Sequence, residues 1–100
     1  MLTRENIIAI LKKESGRLKT EFGVRKIAIF GSFAGNTQTD TSDVDIMIEL
    51  ERPLGFKFFD LADHLEKLLG RKTDILTRDA LKTLRIKEVA RAIEESLLYV

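Results

Sequence analysis

Two aspartates, Asp43 and Asp45, open an apolar segment that runs to Leu50 and predicts a β-strand over Asp43–Leu50. Residues two apart in a strand point to the same face, so the two carboxylates project together while Val44 and Ile46 point the other way. Beyond its acidic start the segment is apolar on both faces, which predicts a central position in a sheet. Adjacent carboxylates repel each other and resist burial, and Mg²⁺, which prefers oxygen ligands and shares its coordination with phosphates, would relieve that repulsion.

A glycine–serine pair lies one polar loop before this strand. The β-rich segment Val24–Phe30 ends at Gly31 and Ser32, and residues 35–42 contain no large apolar side chain. Glycine lets the backbone bend sharply and approach a ligand, exposed N–H groups after a strand can bind an anion, and the serine hydroxyl can donate to a phosphate oxygen. Taken alone, the pair is more often only a turn. Next to the two aspartates, it favours a site that holds a triphosphate between N–H donors and metal ions.

The other segments alternate between helical and strand patterns. Thr3 is a candidate helix N-cap, and the acidic residue Asp74 lies in the third predicted strand. Beyond Arg78 the pattern fits one bent helix or two short ones, and 97–100 fits a frayed helix end or a small edge strand. The order α-β-β-α-β-α predicts an α/β (α+β) fold, a small mixed β-sheet flanked by helices. In chain order the predicted elements are a helix over 3–21, strands over Val24–Phe30 and Asp43–Leu50, a helix from Phe56 to Gly70, a strand over Lys72–Thr77 and helical sequence from Arg78 to Ile93.

Composition narrows the class of protein. The 100 residues predict a single domain over 1–100, and 17 basic against 16 acidic residues give no general attraction to nucleic acid. The absence of cysteine excludes disulfides and thiolate metal sites. No apolar run approaches the roughly 20 residues of a membrane span, and no signal-peptide core follows Met1, so we expect a cytoplasmic location. Basic residues cluster locally at four places, and a solvated face is favoured over a phosphate-binding track for most of them: Lys12-Lys13, Arg25-Lys26, Arg71-Lys72 and Arg85-Lys87.

Gly31-Ser32, ten further residues and Asp43-Val44-Asp45 together resemble the signature of the nucleotidyltransferase superfamily named for DNA polymerase β. The short length and the element order are similar to its smallest branch, the minimal nucleotidyltransferase (MNT) domains. The resemblance covers nearly the whole chain. Each half of the signature is weak alone, but the two at this spacing, with a later acidic strand residue, form a fairly specific pattern.

The resemblance implies roles for five residues. Asp43 and Asp45 would bind Mg²⁺, Gly31 and Ser32 would contact the phosphates of ATP, and Asp74 would be the third metal ligand or the base for the attacking hydroxyl. Three other acidic residues compete with it but also suit solvated helix faces or an N-cap: Asp60, Asp63 and Asp79.

One position departs from the family pattern. Many MNT domains carry an arginine after the Gly-Ser-Phe-Ala run, where this chain has Gly35. Lys57 and Arg78 are the candidate replacements for that cation.

Known MNT domains act as antitoxins paired with a small helical HEPN ribonuclease. The resemblance therefore implies a Mg²⁺-dependent protein adenylyltransferase that moves AMP from ATP to a tyrosine of a HEPN-type toxin, where the added anion would block RNA. Two other classes stay open: a non-catalytic antitoxin that covers its partner, and a small-molecule nucleotidyltransferase. The sequence is compatible with a homo-oligomer.

The aromatic residues bear on the second of these classes. Phe33 and the cluster Phe56, Phe58 and Phe59 are expected in the core. Contact with a partner is the alternative interpretation for this cluster and for the segment 97–99.

Overall fold

The first helix forms where apolar residues recur at helical spacing between two caps. In the computed structural model, which describes residues 2–100, Thr3 accepts a hydrogen bond from the Asn6 backbone N–H at 3.1 Å, and the Asn6 side chain accepts one from the Thr3 N–H at 3.2 Å. This reciprocal pair satisfies two N–H groups that the first turn leaves free. The helix ends at Gly23, so the predicted helix over 3–21 and its Thr3 cap are confirmed.

The described residues form helices and strands that largely match the predicted order. The helices are α1 (Arg4–Phe22), α2 (Gly31–Ala34), α3 (Lys57–Leu69), α4 (Arg78–Lys82) and α5 (Lys87–Ser96). The strands are β1 (Val24–Phe30), β2 (Val44–Leu50), β3 (Thr73–Thr77) and β4 (Leu98–Tyr99).

The strands form one mixed sheet in the order β3-β2-β1-β4. Strand β1 pairs antiparallel with β2 and β4, whereas β2 and β3 run parallel. The mixed sheet and the central position of β2 are therefore confirmed. Since β3 is reached through α3, the parallel pair is joined by the helical crossover that parallel strands require.

The core lies mainly between one face of the sheet and helices α1 and α3. Leu11 and Leu65 from these helices are fully buried in one cluster with Ile29 and Ile46 of the central strands. The alternate residue Met47 is also fully buried, on the opposite face, and α4 packs against β2 and β3. The second face is thus only partly covered by helix, which leaves room beside β2 for a site.

One feature of the fold was not predicted, and two others decide between alternatives that the sequence left open. The short helix α2 was not predicted, two separate helices follow β3, and the chain ends in the edge strand β4. None of the helices within residues 2–100 is both long and apolar enough to span a membrane.

The expectation of a core position is wrong for part of the phenylalanine cluster. Phe33 is buried, but Phe56 is 90% and Phe59 is 69% exposed. Phe56 precedes α3, and at 100° per residue Phe59 lies about 120° around the helix from the stripe that contains Leu61 and Leu65. Two large apolar side chains therefore face solvent at the start of α3.

The core assignment predicts a large effect of truncating Leu65, which is fully buried on α3. We expect Leu65→Ala to lower the free energy of unfolding by about 2–5 kcal/mol, because it removes buried methyl groups and leaves a cavity. Val89→Ala, at a position 47% exposed on α5, is the control and should stay within about 0.5 kcal/mol of wild type. Urea unfolding measures both, and equal stability of the two variants would contradict this core.

Candidate functional site

Asp45 and Asp74 face each other across the parallel strands β2 and β3. They are register partners, so their side chains project from the same face of the sheet, on strands about 4.8 Å apart. Asp43 precedes the first residue of β2 and alternates with Asp45. Asp43 and Asp45 are partly buried and Asp74 is exposed. The structure therefore places Asp45 and Asp74 side by side on the less covered face, with Asp43 two residues before Asp45.

The charges of these aspartates act on one another. Burial raises the pKa of Asp45 above its ordinary value, and repulsion first from Asp74 and then from Asp43 raises it further. A carboxyl group placed this way binds a proton, or another cation, more readily than a free one. The three competing acids do not contribute to this shift: Asp63 pairs with Lys67 at 2.9 Å, and Asp60 and Asp79 lie in the first turns of α3 and α4.

Gly31 lies directly against the Asp45 carboxylate. Its φ is +72°, and a Cβ placed on it would lie 2.1 Å from Asp45 Oδ2 and 3.1 Å from Asp45 Cγ. A residue with a side chain would therefore be strained and would also displace the carboxylate. Glycine is needed here because the Asp45 carboxylate occupies the space that a Cβ would fill.

Helix α2 and the loop after it fold back on this glycine. The Gly31 carbonyl accepts from the Gly35 N–H at 3.1 Å, and the Ser32 carbonyl accepts from the Thr37 N–H at 2.8 Å. Ser32 is partly buried and follows Gly31 at the corner where β1 ends, opposite the start of β2. The two predicted phosphate-contacting residues thus stand beside the aspartates.

Two arginines, to which the sequence analysis gave no role in the site, donate hydrogen bonds to the backbone between the end of α2 and the start of β2. Arg71 Nη1 donates to the carbonyl oxygens of Thr39 (3.3 Å) and Ser42 (3.0 Å), and Arg4 Nη1 donates to that of Ala34 (3.2 Å). In the Arg71-Lys72 cluster, Lys72 is exposed and Arg71 is partly buried. In the sequence, only the position of Arg71 just before the strand that carries Asp74 could have suggested a role near the site.

The two proposed replacements for the family arginine make contacts with other residues. Lys57 Nζ lies 5.5 Å from the ring centre of Phe22, and Arg78 binds the Glu94 carboxylate through Nη1 at 2.6 and 2.8 Å. Arg78 also lines a cavity of about 520 Å³ with Glu49, at the opposite end of β2 from Asp45. Both cations are therefore engaged in contacts outside the Gly31-Ser32 corner.

The residues present fit Mg²⁺ in donor chemistry but do not form a closed cage. Within residues 2–100, no three acidic or histidine side chains are gathered as a complete ligand set. Mg²⁺ is typically bound by one or two carboxylates together with substrate phosphates and waters. The carboxylates of Asp43 and Asp45, next to the space bounded by Gly31, meet that requirement, with Asp74 beside them.

Comparison with known proteins assigns this arrangement to a family. A family model described as a nucleotidyltransferase domain matches residues 11–100. The chain belongs to the nucleotidyltransferase family. The match includes the Gly31-Ser32 corner and all three aspartates, so the residues that the resemblance identified lie inside the family domain.

Full-length relatives of this nucleotidyltransferase are named protein adenylyltransferases. A Methanocaldococcus jannaschii protein so named is 46% identical over 101 residues and matches along the whole of both chains. The protein adenylyltransferase MntA of Thermococcus cleftensis is 39% identical over 94 residues, which cover 93% of this chain and 95% of MntA.

Solved structures share the fold. One described as a minimal nucleotidyltransferase superposes with a TM-score of 0.76 at 21% identity, covering 97% of this chain and 95% of the other. Another, an MNT antitoxin in complex with the tri-AMPylated HEPN toxin of Shewanella oneidensis, gives a TM-score of 0.56 at 16% identity, with coverage of 96% and 66%. The predicted nucleotidyltransferase fold is confirmed.

The contact between Gly31 and Asp45 predicts an unusually costly glycine substitution. Gly31→Ala and Gly70→Ala both force alanine into positive φ, which costs roughly 1–2 kcal/mol, but a Cβ on Gly70 meets nothing within 4 Å. We expect Gly31→Ala to lower the free energy of urea unfolding more than Gly70→Ala does, because it also displaces the carboxylate. Equal losses in the two variants would show that the contact is not tight.

The raised pKa of Asp45 predicts a pH-dependent gain from Asp45→Asn. The folded protein holds this proton more tightly than the unfolded chain, so ionised Asp45 lowers stability above its folded pKa, and the penalty vanishes below the ordinary value of 3.8. We expect Asp45→Asn to raise Tm at pH 7 without divalent metal, by a difference that shrinks as the pH falls toward 3.8. Asp40→Asn, at an exposed loop position, should give no such gain; equal shifts in both variants would contradict the electrostatic account.

Proposed function

We propose that this nucleotidyltransferase is a Mg²⁺-dependent protein adenylyltransferase that transfers AMP from ATP to a tyrosine of a HEPN-type toxin. The observation that carries the proposal is the packing of Gly31 against the Asp45 carboxylate, with Asp74 in register beside it. That packing places the Asp45 carboxylate, with Asp74 as its register partner, directly beside the backbone of Gly31. A triphosphate bound with its metal has the complementary charge pattern.

Each residue then has a distinct role. Asp43 and Asp45 would hold Mg²⁺, which when bound would supply positive charge to the phosphates. The Ser32 N–H and hydroxyl bind phosphate oxygens and orient the α-phosphate. Asp74, exposed at the edge of the site, orients the tyrosine hydroxyl and accepts its proton or completes the metal coordination.

The reaction is a displacement at the α-phosphorus. The tyrosine oxygen forms a bond to the α-phosphorus. The bond between the α-phosphorus and the oxygen that bridges to the β-phosphate breaks, and pyrophosphate leaves. The phenol proton passes to Asp74 or to water. The chain supplies position and charge and forms no covalent intermediate.

The relatives support the choice of acceptor. Proteins of this family with 39–46% identity are named protein adenylyltransferases, and a protein of the same fold is an MNT antitoxin bound to an AMPylated HEPN toxin. The exposure of Asp74 suits an acceptor that arrives on the surface of another protein. A cytoplasmic location goes with ATP as the substrate and with a ribonuclease as the target.

Neutralisation without catalysis is the second candidate. The exposed Phe56 and Phe59 form an apolar surface of the kind that a covering antitoxin needs. This candidate does not require the close contact between Gly31 and Asp45, and we therefore rank it below the enzyme.

The transfer reaction is tested by mixing the protein with a candidate HEPN-type toxin, ATP and Mg²⁺. Mass spectrometry should show the toxin heavier by one AMP for each transfer, on a tyrosine, with pyrophosphate released. The double variant Asp43→Ala/Asp45→Ala should abolish the mass increase, because it removes both metal ligands, whereas Asp40→Ala should keep it.

The same mixture separates the two candidates. A toxin of unchanged mass that is nevertheless inhibited by an equimolar amount of the double variant would identify a covering protein. Inhibition that needs ATP and persists after the antitoxin is removed would identify the transferase.

A further inference from the structure

We propose that Arg71 is the positioning residue of the site: it sets the distance between the phosphate-contacting segment at Gly31-Ser32 and the metal ligand Asp43. The inference rests on the proposed function for the identity of the ligand, and on contacts of this chain for the role of the arginine. Arg71 lies between α3 and β3, distant in sequence from the residues that it holds.

The Arg71 guanidinium contacts two parts of the site. It donates to the carbonyl oxygens of Thr39 and Ser42, at 3.3 and 3.0 Å, on the two sides of the turn that leads into Asp43. Its central carbon lies 5.6 Å from the ring centre of Phe33, the buried residue of α2 that follows Ser32. Arg71 therefore contacts the helix that begins at Gly31 and the turn that ends at Asp43.

The turn itself is held by hydrogen bonds among residues 39–42, which lie at the surface. The Ser42 N–H donates to the Thr39 carbonyl at 3.2 Å, and the Thr39 N–H donates to Ser42 Oγ at 2.9 Å, but both residues contact solvent. Repulsion among the three aspartates pushes Asp43 away from Asp45. A fixed cation that grips the carbonyl directly before Asp43 opposes that displacement, and it does so before any metal binds.

Arginine suits this task better than lysine. The planar guanidinium can donate to two carbonyl oxygens while its face lies on an aromatic ring, and charge-assisted hydrogen bonds are stronger than neutral ones. An ammonium group retains the charge and can donate to the carbonyl oxygens, but it lacks the planar group that lies 5.6 Å from the ring centre of Phe33. We therefore expect Arg71→Lys to rescue the site only in part.

The test uses the whole chain and two readouts. In Arg71→Met, which keeps an apolar stem, the backbone N–H groups of Thr37, Thr39 and Ser42 should exchange with D₂O faster than in wild type, while those in the middle of α1 should not change. In the same variant the Kd for Mn²⁺ in the presence of ATP, measured by calorimetry or electron paramagnetic resonance, should rise by roughly 10- to 100-fold. Arg71→Lys should lie between the two.

The control is Arg17→Met, which removes an exposed arginine that pairs with Glu21 at 3.0 Å on α1 and should change neither readout. General destabilisation by Arg71→Met would lower Tm without changing Mn²⁺ affinity well below Tm, and that result would overturn the proposal. So would unchanged exchange at Thr39 and Ser42.

The wild-type protein separates this inference from the proposed function. If it binds Mn²⁺ with ATP but modifies no HEPN-type toxin, the proposed acceptor is wrong and the Arg71 comparison still decides the positioning role. If it binds no Mn²⁺ with ATP, there is no metal site to position, and the role of Arg71 is refuted as well.

Discussion

Repulsion among three carboxylates is the constraint on which the site depends. Its effect is seen at Asp45. Burial raises the pKa of this carboxyl group, and the charges of Asp74 and Asp43 raise it further. A fold selected only for stability would separate these side chains or replace them. This chain instead keeps them on one face. The arrangement lowers the stability of the folded protein in the absence of a cation, and a bound cation would relieve the repulsion.

The rest of the fold supplies the rigidity that this arrangement needs. Strand β2 carries Asp45 between two hydrogen-bonded neighbours, and its other face is buried against α1 and α3. Gly31 closes the site from the side of β1, since only a residue without Cβ fits against the carboxylate. The more open face of the sheet is then free for substrate, so core and site use opposite faces of the same strands.

The sequence predicted those parts of the structure that depend on short-range pattern. Strand alternation placed Asp43 and Asp45 on one side, helical spacing and the Thr3 cap located α1, and the Gly-Ser and Asp-x-Asp spacing led to the correct family. The pairing of β2 with β3 was not predicted, yet it is what brings Asp74 into register with Asp45.

The features that the sequence did not reveal depend on tertiary contacts. The four-residue helix α2 is too short for a periodic signal, and the bonds from Arg71 and Arg4 to carbonyl oxygens 29–32 residues away leave no local pattern. The exposure of Phe59 follows from which face of α3 meets the sheet, and counting apolar residues does not determine that. The sequence likewise gives no sign that Arg71 contacts residues distant along the chain, so it suggested only a solvated cation.

The most direct test of the account is whether ATP binding requires both a divalent cation and the Asp45 carboxylate. Calorimetric titration of ATP into the wild-type protein should give heat of binding with Mg²⁺ present and none after chelation with EDTA, and Asp45→Asn should give none in either buffer. Equal ATP binding with and without Mg²⁺, or binding that survives in Asp45→Asn, would contradict the claim that these carboxylates hold the nucleotide through a metal ion.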